Sequence, residues 1–264
     1  MANHWRAPTA AATVWNQPRA WRANSVAAKR LKVLYEDNHL LAVAKPAGVP
    51  TMGAKPGVES VADMAKAYLR EKYDKPGNVY LGIVSRLDAP VTGVLLFART
   101  SKAAGRLSDA FRTRRVEKRY LATVTGEVPP CDEPLVHYLK HDDRNARVYA
   151  THADAPDAKR AELSYKPLLT QNGRTLLEIE LLTGRKHQIR VQLAKLCHPI
   201  LGDEKYGSTE TYAPGIALHA WRLEVEHPVR KEPLRLVSKP ADRWGRWDAG
   251  QLARSISPGR GDSA

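Results

Sequence analysis

Apolar positions along the chain fall into short runs divided by turn-forming clusters, and these runs set the expected elements. Residues 31–35 and 40–44 are two apolar runs split by Glu36-Asp37-Asn38-His39, which predicts a β-hairpin. Lys45-Pro46-Ala47-Gly48-Val49-Pro50 ends the second strand. Over residues 58–73 the spacing of Val61, Met64, Ala65 and Tyr68 is helical, and Pro76-Gly77 closes that stretch. Residues 93–98 are a continuous apolar strand. A helix over 101–114, capped by Thr100 or Ser101, carries Ala103, Leu107, Ala110 and Phe111 on one face.

Further strands are expected at 119–124, 147–150, 161–167, 174–182 and 216–225. A helix opening after Thr183-Gly184 should bury Ile189, Leu193 and Leu196, with Cys197 packed at its apolar end. Many strands with a few separate helices, and no regular βαβ alternation, predict an α+β domain on a largely antiparallel sheet.

Composition narrows the class. The 264 residues hold 43% hydrophobic and 27% charged positions, as in ordinary globular proteins. Apolar runs stay far below the roughly 18 residues of a membrane span. Two cysteines cannot make a disulfide scaffold or a Cys-based zinc ribbon, and they fit a reducing compartment. The net charge is +14. Residues 1–30 contribute Arg6, Arg19, Arg22, Lys29 and Arg30 with no acid, and are read as a disordered basic arm. An organelle address in that arm stays open. Residues 241–264 read as a largely disordered tail, so 31–240 is the expected folded domain. It keeps a net positive charge, which favours a polyanionic partner.

Three stretches carry candidate chemistry. Ser85-Arg86-Leu87-Asp88-Ala89-Pro90-Val91-Thr92-Gly93 puts an acid and a base two residues apart in a turn-rich segment before a buried strand. Taken alone it is also what many surface loops carry. Leu181 to Gln192 places Arg185, Lys186, His187 and Arg190 near a helix start, where cations are locally unfavourable unless an anion joins them. That anion could be a phosphate or a buried carboxylate such as Asp88. Arg112 to Tyr120 holds five cations followed by an aromatic ring, a plausible phosphate track. His137 and His141, four apart but without the Glu of a zinc-protease helix, read as a chance pair.

Together these motifs resemble the RluA-type pseudouridine synthases over about residues 31–240. That family has a strand pair followed by Lys-Pro-x-Gly, here Lys45-Pro46-Ala47-Gly48. Its signature His-Arg-Leu-Asp-x-x-Thr-Ser-Gly is matched by Ser85 to Gly93, its Lys-x-Tyr by Lys118-Arg119-Tyr120, and its Gly-Arg-x-His-Gln-Ile-Arg by Gly184 to Arg190. His198-Pro199-Ile200-Leu201-Gly202-Asp203, Tyr206-Gly207 and Leu218-His219-Ala220 complete the order. Departures are Ser85 for His, Val91-Thr92 for Thr-Ser, and Gln192 where a His is common. The branch resembled lacks an RNA-binding S4-type module.

The resemblance implies a mixed, largely antiparallel sheet flanked by helices around a central catalytic cleft. It implies isomerisation of uridine to pseudouridine in structured ribosomal or transfer RNA, with no cofactor and no metal. Asp88 would be the catalytic carboxylate, paired with Arg185, and Tyr120 would stack on the flipped base. Arg86 would fill the space the base vacates, and Ile189 would wall the pocket. Lys118, His187 and Arg190 are further expected substrate contacts. A monomer acting in the cytoplasm, away from membranes, is expected. The alternatives are an inactive RNA-binding protein of the same fold, or a carboxylate enzyme acting on a small nucleoside.

Overall fold

Asp37 makes the first turn. Its carboxylate accepts from the backbone N–H groups of His39 and Leu40, each at 2.8 Å, and this closes β1 (Lys32–Glu36) onto β2 (Leu40–Lys45). The structure is a computed structural model that describes residues 31–53 and 57–256. The expectations for residues 1–30 lie outside the described residues. Helix α1 (Val61–Lys72) opens on a capping box of Ser60 and Asp63. After it come β3 (Gly82–Ile83) and β4 (Thr92–Ala98). Helix α2 (Ser101–Arg112) is capped by Thr100, which accepts from Ala103 N–H. It ends short of the expected 114 because Arg114 takes a left-handed φ of 60° and turns the chain into β5 (Val116–Thr125).

The second half contains β6 (Leu135–Asp142), β7 (Arg147–Thr151), β8 (Lys159–Gln171) and β9 (Arg174–Leu181). Helix α3 (Gln188–Lys195), β10 (Leu218–Glu226), β11 (Pro233–Val237) and α4 (Ala249–Ile256) follow. The strands form one sheet in the order β1-β2-β4-β10-β5-β9-β8-β6-β7, with β11 beside β10 and β3 beside β4. Only the β4–β10 pairing is parallel among the described strands. This is the expected α+β, largely antiparallel mixed sheet.

Helices cover both faces of β2 and β4, which is why those strands read as unbroken apolar runs. Leu41, Val43, Leu95 and Phe97 face α1, while Leu40, Ala42, Val94 and Leu96 face α2. The central strands β5 and β9 bury Leu121, Leu176, Leu177 and Ile179 with Ile189 and Leu193 of α3. Of the expected buried face of α3, Leu196 is only half-buried, and Cys197 is exposed with a left-handed φ of 65°.

For residues 241–256 the expected disordered tail is a correction, and residues 257–264 lie outside the described residues. Trp244, Trp247 and Leu252 are buried in the same core as β5 and β9, and α4 is ordered on them. Asp248 and Gln251 exchange capping hydrogen bonds, and Trp247 Nε1 donates to Thr123 Oγ1 at 2.9 Å. Gly245 is needed there, since a Cβ would lie 2.2 Å from Thr123 Oγ1 and its φ is +62°.

A buried histidine ties β4 to β10. His219 Nε2 donates to the Ser238 carbonyl at 2.7 Å, so Nδ1 accepts from Thr92 Oγ1 at 2.7 Å. Burial brings its pKa down from 6.5 to about 4. The unfolded chain therefore takes the proton first, and stability present above pH 6.5 is lost as pH falls toward 4. The urea midpoint should drop between pH 7 and pH 5, and a flat profile would contradict this assignment.

Candidate active site

The chain between β3 and β4 is held from behind by the turn after β2. Lys45, 2% exposed, donates from Nζ to the carbonyls of Pro46, Ala89 and Val91, each at 2.8 Å. Gly48 N–H donates to Ala89 O, and Thr51 Oγ1 donates to Leu87 O while accepting from Leu87 N–H. The first helical N–H groups of α1 in turn donate to Pro50 and Thr51 carbonyls. Burial lowers the Lys45 pKa to about 8, against the pull of Asp88. The segment carrying Asp88 is thus a braced loop, with Asp88 on its cleft side.

Lys45→Met should leave three carbonyls without their donor and cost about 3 kcal/mol, at the usual worth of charged hydrogen bonds. Chemical denaturation checks this, and unchanged stability would contradict the brace.

The cleft, about 880 Å³, is lined by this loop, the end of α2, the start of β5 and the segment 181–190. Among the described residues, Asp88 is the one carboxylate lining it, against seven Lys and Arg side chains. The side chains of Arg86, Arg114 and Lys118 have no partner among the described residues. Arg112 pairs with Asp109, and Lys186 donates to His141 Nε2 at 2.7 Å. Burial and the nearby Arg114 bring the Lys118 pKa down to about 8.

The expected Asp88–Arg185 pair is a correction. Arg190 Nη1 donates to Asp88 Oδ2 at 3.0 Å, and its remaining face clasps Asp203 through Nε at 2.7 Å and Nη2 at 2.8 Å. Arg185 is exposed and its Nε donates to the Arg160 carbonyl at 3.1 Å. The cause is where the helix starts. Gln188 Oε1 accepts from Thr183 Oγ1 and Arg185 N–H, holding 183–187 as a loop, and His187 takes a left-handed φ of 53°. Helix α3 begins at Gln188, which swings Arg185 outward and aims Arg190 inward. Burial opposes the charge of Arg190, but Asp203 and Asp88 outweigh it and raise its pKa.

His187 lines the cleft and stands between Asp88 and Tyr206. Its Nε2 is 3.7 Å from Asp88 Oδ2, and its Nδ1 is 2.6 Å from Tyr206 Oη. Burial, with the cations Arg190, Lys205 and Lys186, lowers its pKa despite Asp88. Tyr120 and Ile189 line the cleft as expected. Burial and Asp88 raise the Tyr120 pKa, so it is a neutral phenol suited to stacking and not to taking a proton.

Of the motif departures, Ser85 and Val91 line the cleft, while Thr92 and Gln192 do not. Val91 packs in the central core, Thr92 binds His219, and Ser85 Oγ donates to Leu96 O at 3.4 Å. Gln192 is fully buried and its amide donates to Leu135 O at 2.9 Å, joining α3 to β6. His137 Nδ1 faces that amide, and His141 binds Asp143 and Lys186. Asp203 and Tyr206 were visible only as motif letters, with no role assigned to either.

Residues 39–195 match the family model described as RNA pseudouridylate synthase. Ribosomal large subunit pseudouridine synthase D of Nitrosomonas europaea is 36% identical over 213 residues, covering 75% of this chain and 58% of that protein. Dual-specificity RNA pseudouridine synthase RluA of Escherichia coli O6:H1 is 32% identical over 219 residues, covering 80% of this chain and 94% of that one. Among solved structures, human RNA pseudouridylate synthase domain containing 4 superposes with a TM-score of 0.69 at 24% identity, covering 88% and 95%. The chain belongs to the RNA pseudouridylate synthase family, and its relatives are of the RluA type.

Proposed function

We propose that this protein is an RNA pseudouridine synthase acting on uridines of structured ribosomal or transfer RNA, with Asp88 as its catalytic carboxylate. The observation that carries this reading is a carboxylate, oriented by Arg190 and the one carboxylate among the described residues lining the cleft, beside seven Lys and Arg side chains. A polyanion is drawn to such a cleft, and the carboxylate is what a binding surface alone would omit.

The reaction is a rearrangement. The N1–C1′ bond of uridine breaks, the base turns, and C5 bonds to C1′. C5 gives up its proton and N1 gains one, so nothing is consumed. Asp88 acts as nucleophile or as stabiliser of the charge developing at the sugar. The target base must leave its stack, Arg86 occupies the gap, and Tyr120 stacks on the flipped base against the Ile189 wall. Arg114 and Lys118, whose side chains have no partner among the described residues, take backbone phosphates. Arg185, exposed at the cleft rim, contributes there and not at Asp88.

No helix among the described residues is long and apolar enough to cross a membrane. A cytoplasmic monomer completes the reading, and light scattering with cell fractionation tests it. The functional test is pseudouridine formation in ribosomal and transfer RNA by purified protein. RNA binding without product, by wild type and Asp88→Asn alike, would favour a binding protein of the same fold.

A further inference from the structure

We propose that Tyr206 is a positioning residue for the reaction at Asp88: its hydroxyl, ordered by the Val148 N–H, fixes the tautomer of His187 so that the Nε2–H points at the Asp88 carboxylate. The inference deepens the pseudouridine synthase reading and rests on it only for the consequence in turnover.

The argument is a proton count. Tyr206 Oη accepts from Val148 N–H at 3.1 Å, because a backbone amide can only donate. Its own single proton then has one acceptor within reach among the described residues, His187 Nδ1 at 2.6 Å. A ring that accepts at Nδ1 and is neutral must carry its proton on Nε2, which faces Asp88 Oδ2 at 3.7 Å. The groups around the ring favour neutrality: Arg190 lies on α3, Lys186 in the preceding loop and Lys205 beside Tyr206, with only Asp88 opposing them. At 3.7 Å the last contact is longer than a hydrogen bond, as catalytic contacts often are before substrate closes them.

Both Arg190 and His187 approach the same oxygen, Oδ2. Oδ1 is left without a partner among the described residues, free to face the sugar. A packing tyrosine would need only its ring, and this ring does pack with Val148, Ala161 and Val191. The hydroxyl adds two directed bonds that packing does not require, and one of them comes from the β6–β7 hairpin at the sheet edge. Lys205 Nζ on the Ala146 carbonyl, at 2.7 Å, fastens the tip of that hairpin to the same turn. A hairpin that shifts when RNA binds would therefore be felt at the catalytic carboxylate.

Nitrogen NMR of the histidine rings in the RNA-free protein, beside steady-state kinetics, tests this. Wild type should show His187 as the Nε2–H tautomer, and Tyr206→Phe should show a mixture. The variant should lose about tenfold in kcat with KM nearly unchanged, as for other residues that orient a histidine from behind. In a His187→Gln background, whose amide can reach Asp88 without a tautomer to set, Tyr206→Phe should change kcat no further. An unchanged tautomer in Tyr206→Phe, or losses that multiply in the double variant, would overturn the proposal. If wild type makes no pseudouridine on any RNA, the functional reading fails, while the NMR result still decides the Tyr206–His187 link.

Discussion

Asp88→Asn should abolish pseudouridine formation while RNA binds as tightly as before or more tightly. The amide keeps the size and the braced backbone, since Lys45, Gly48 and Thr51 hold the loop through main-chain groups and not through the Asp88 side chain. What is lost is the negative charge that must meet the sugar as its bond to N1 breaks. In a cleft lined by seven cations, removing that charge also removes its repulsion of phosphate. Product formation and equilibrium binding on one RNA separate the effects. Retained turnover would remove Asp88 from the chemistry, and lost binding would make it structural.

The second large effect separates two arginines that sequence alone treats alike. Arg190→Ala should destabilise the fold by about 3–5 kcal/mol, the usual cost of breaking a buried ion pair from one side. It strands Asp203, which is 1% exposed, and frees Asp88 from its orienting donor. Activity should vanish with it. Arg185→Ala removes an exposed side chain bonded to one carbonyl, so stability should change by no more than about 0.5 kcal/mol. Its effect should fall on RNA affinity and its salt dependence. Denaturation midpoints of the two variants decide this, and the reverse order would restore the Asp88–Arg185 pair.

The Gly184–Arg190 motif identifies which residues gather at the site but not the phase of the helix. Phase is set by the Gln188 side chain reaching back to Thr183 and Arg185, and by a left-handed His187, neither of which periodicity reveals. The hairpin, α1, β4 and α2 were legible because their apolar spacing and caps are local. β6 was not, because Leu135-Val136-His137-Tyr138-Leu139-Lys140 mixes polar and apolar residues on a half-exposed strand. The ordered C-terminal helix did leave a trace in Asp248-x-x-Gln251 and in the two tryptophans before it, which have a core to fill. The brace at Lys45 needs residues 44 and 46 positions further along the chain, which only folding brings near.

The central claim is that this cleft isomerises uridine, and release of tritium from RNA labelled at uridine C5 tests it most directly. The C5 hydrogen is exchanged into water only when C5 bonds to the sugar, so binding alone cannot mimic the signal. Purified wild type should release tritium from ribosomal or transfer RNA lacking its modifications, and Asp88→Asn should release none. Equal release by both proteins, or none by a folded, RNA-binding wild type on either RNA, would contradict the account.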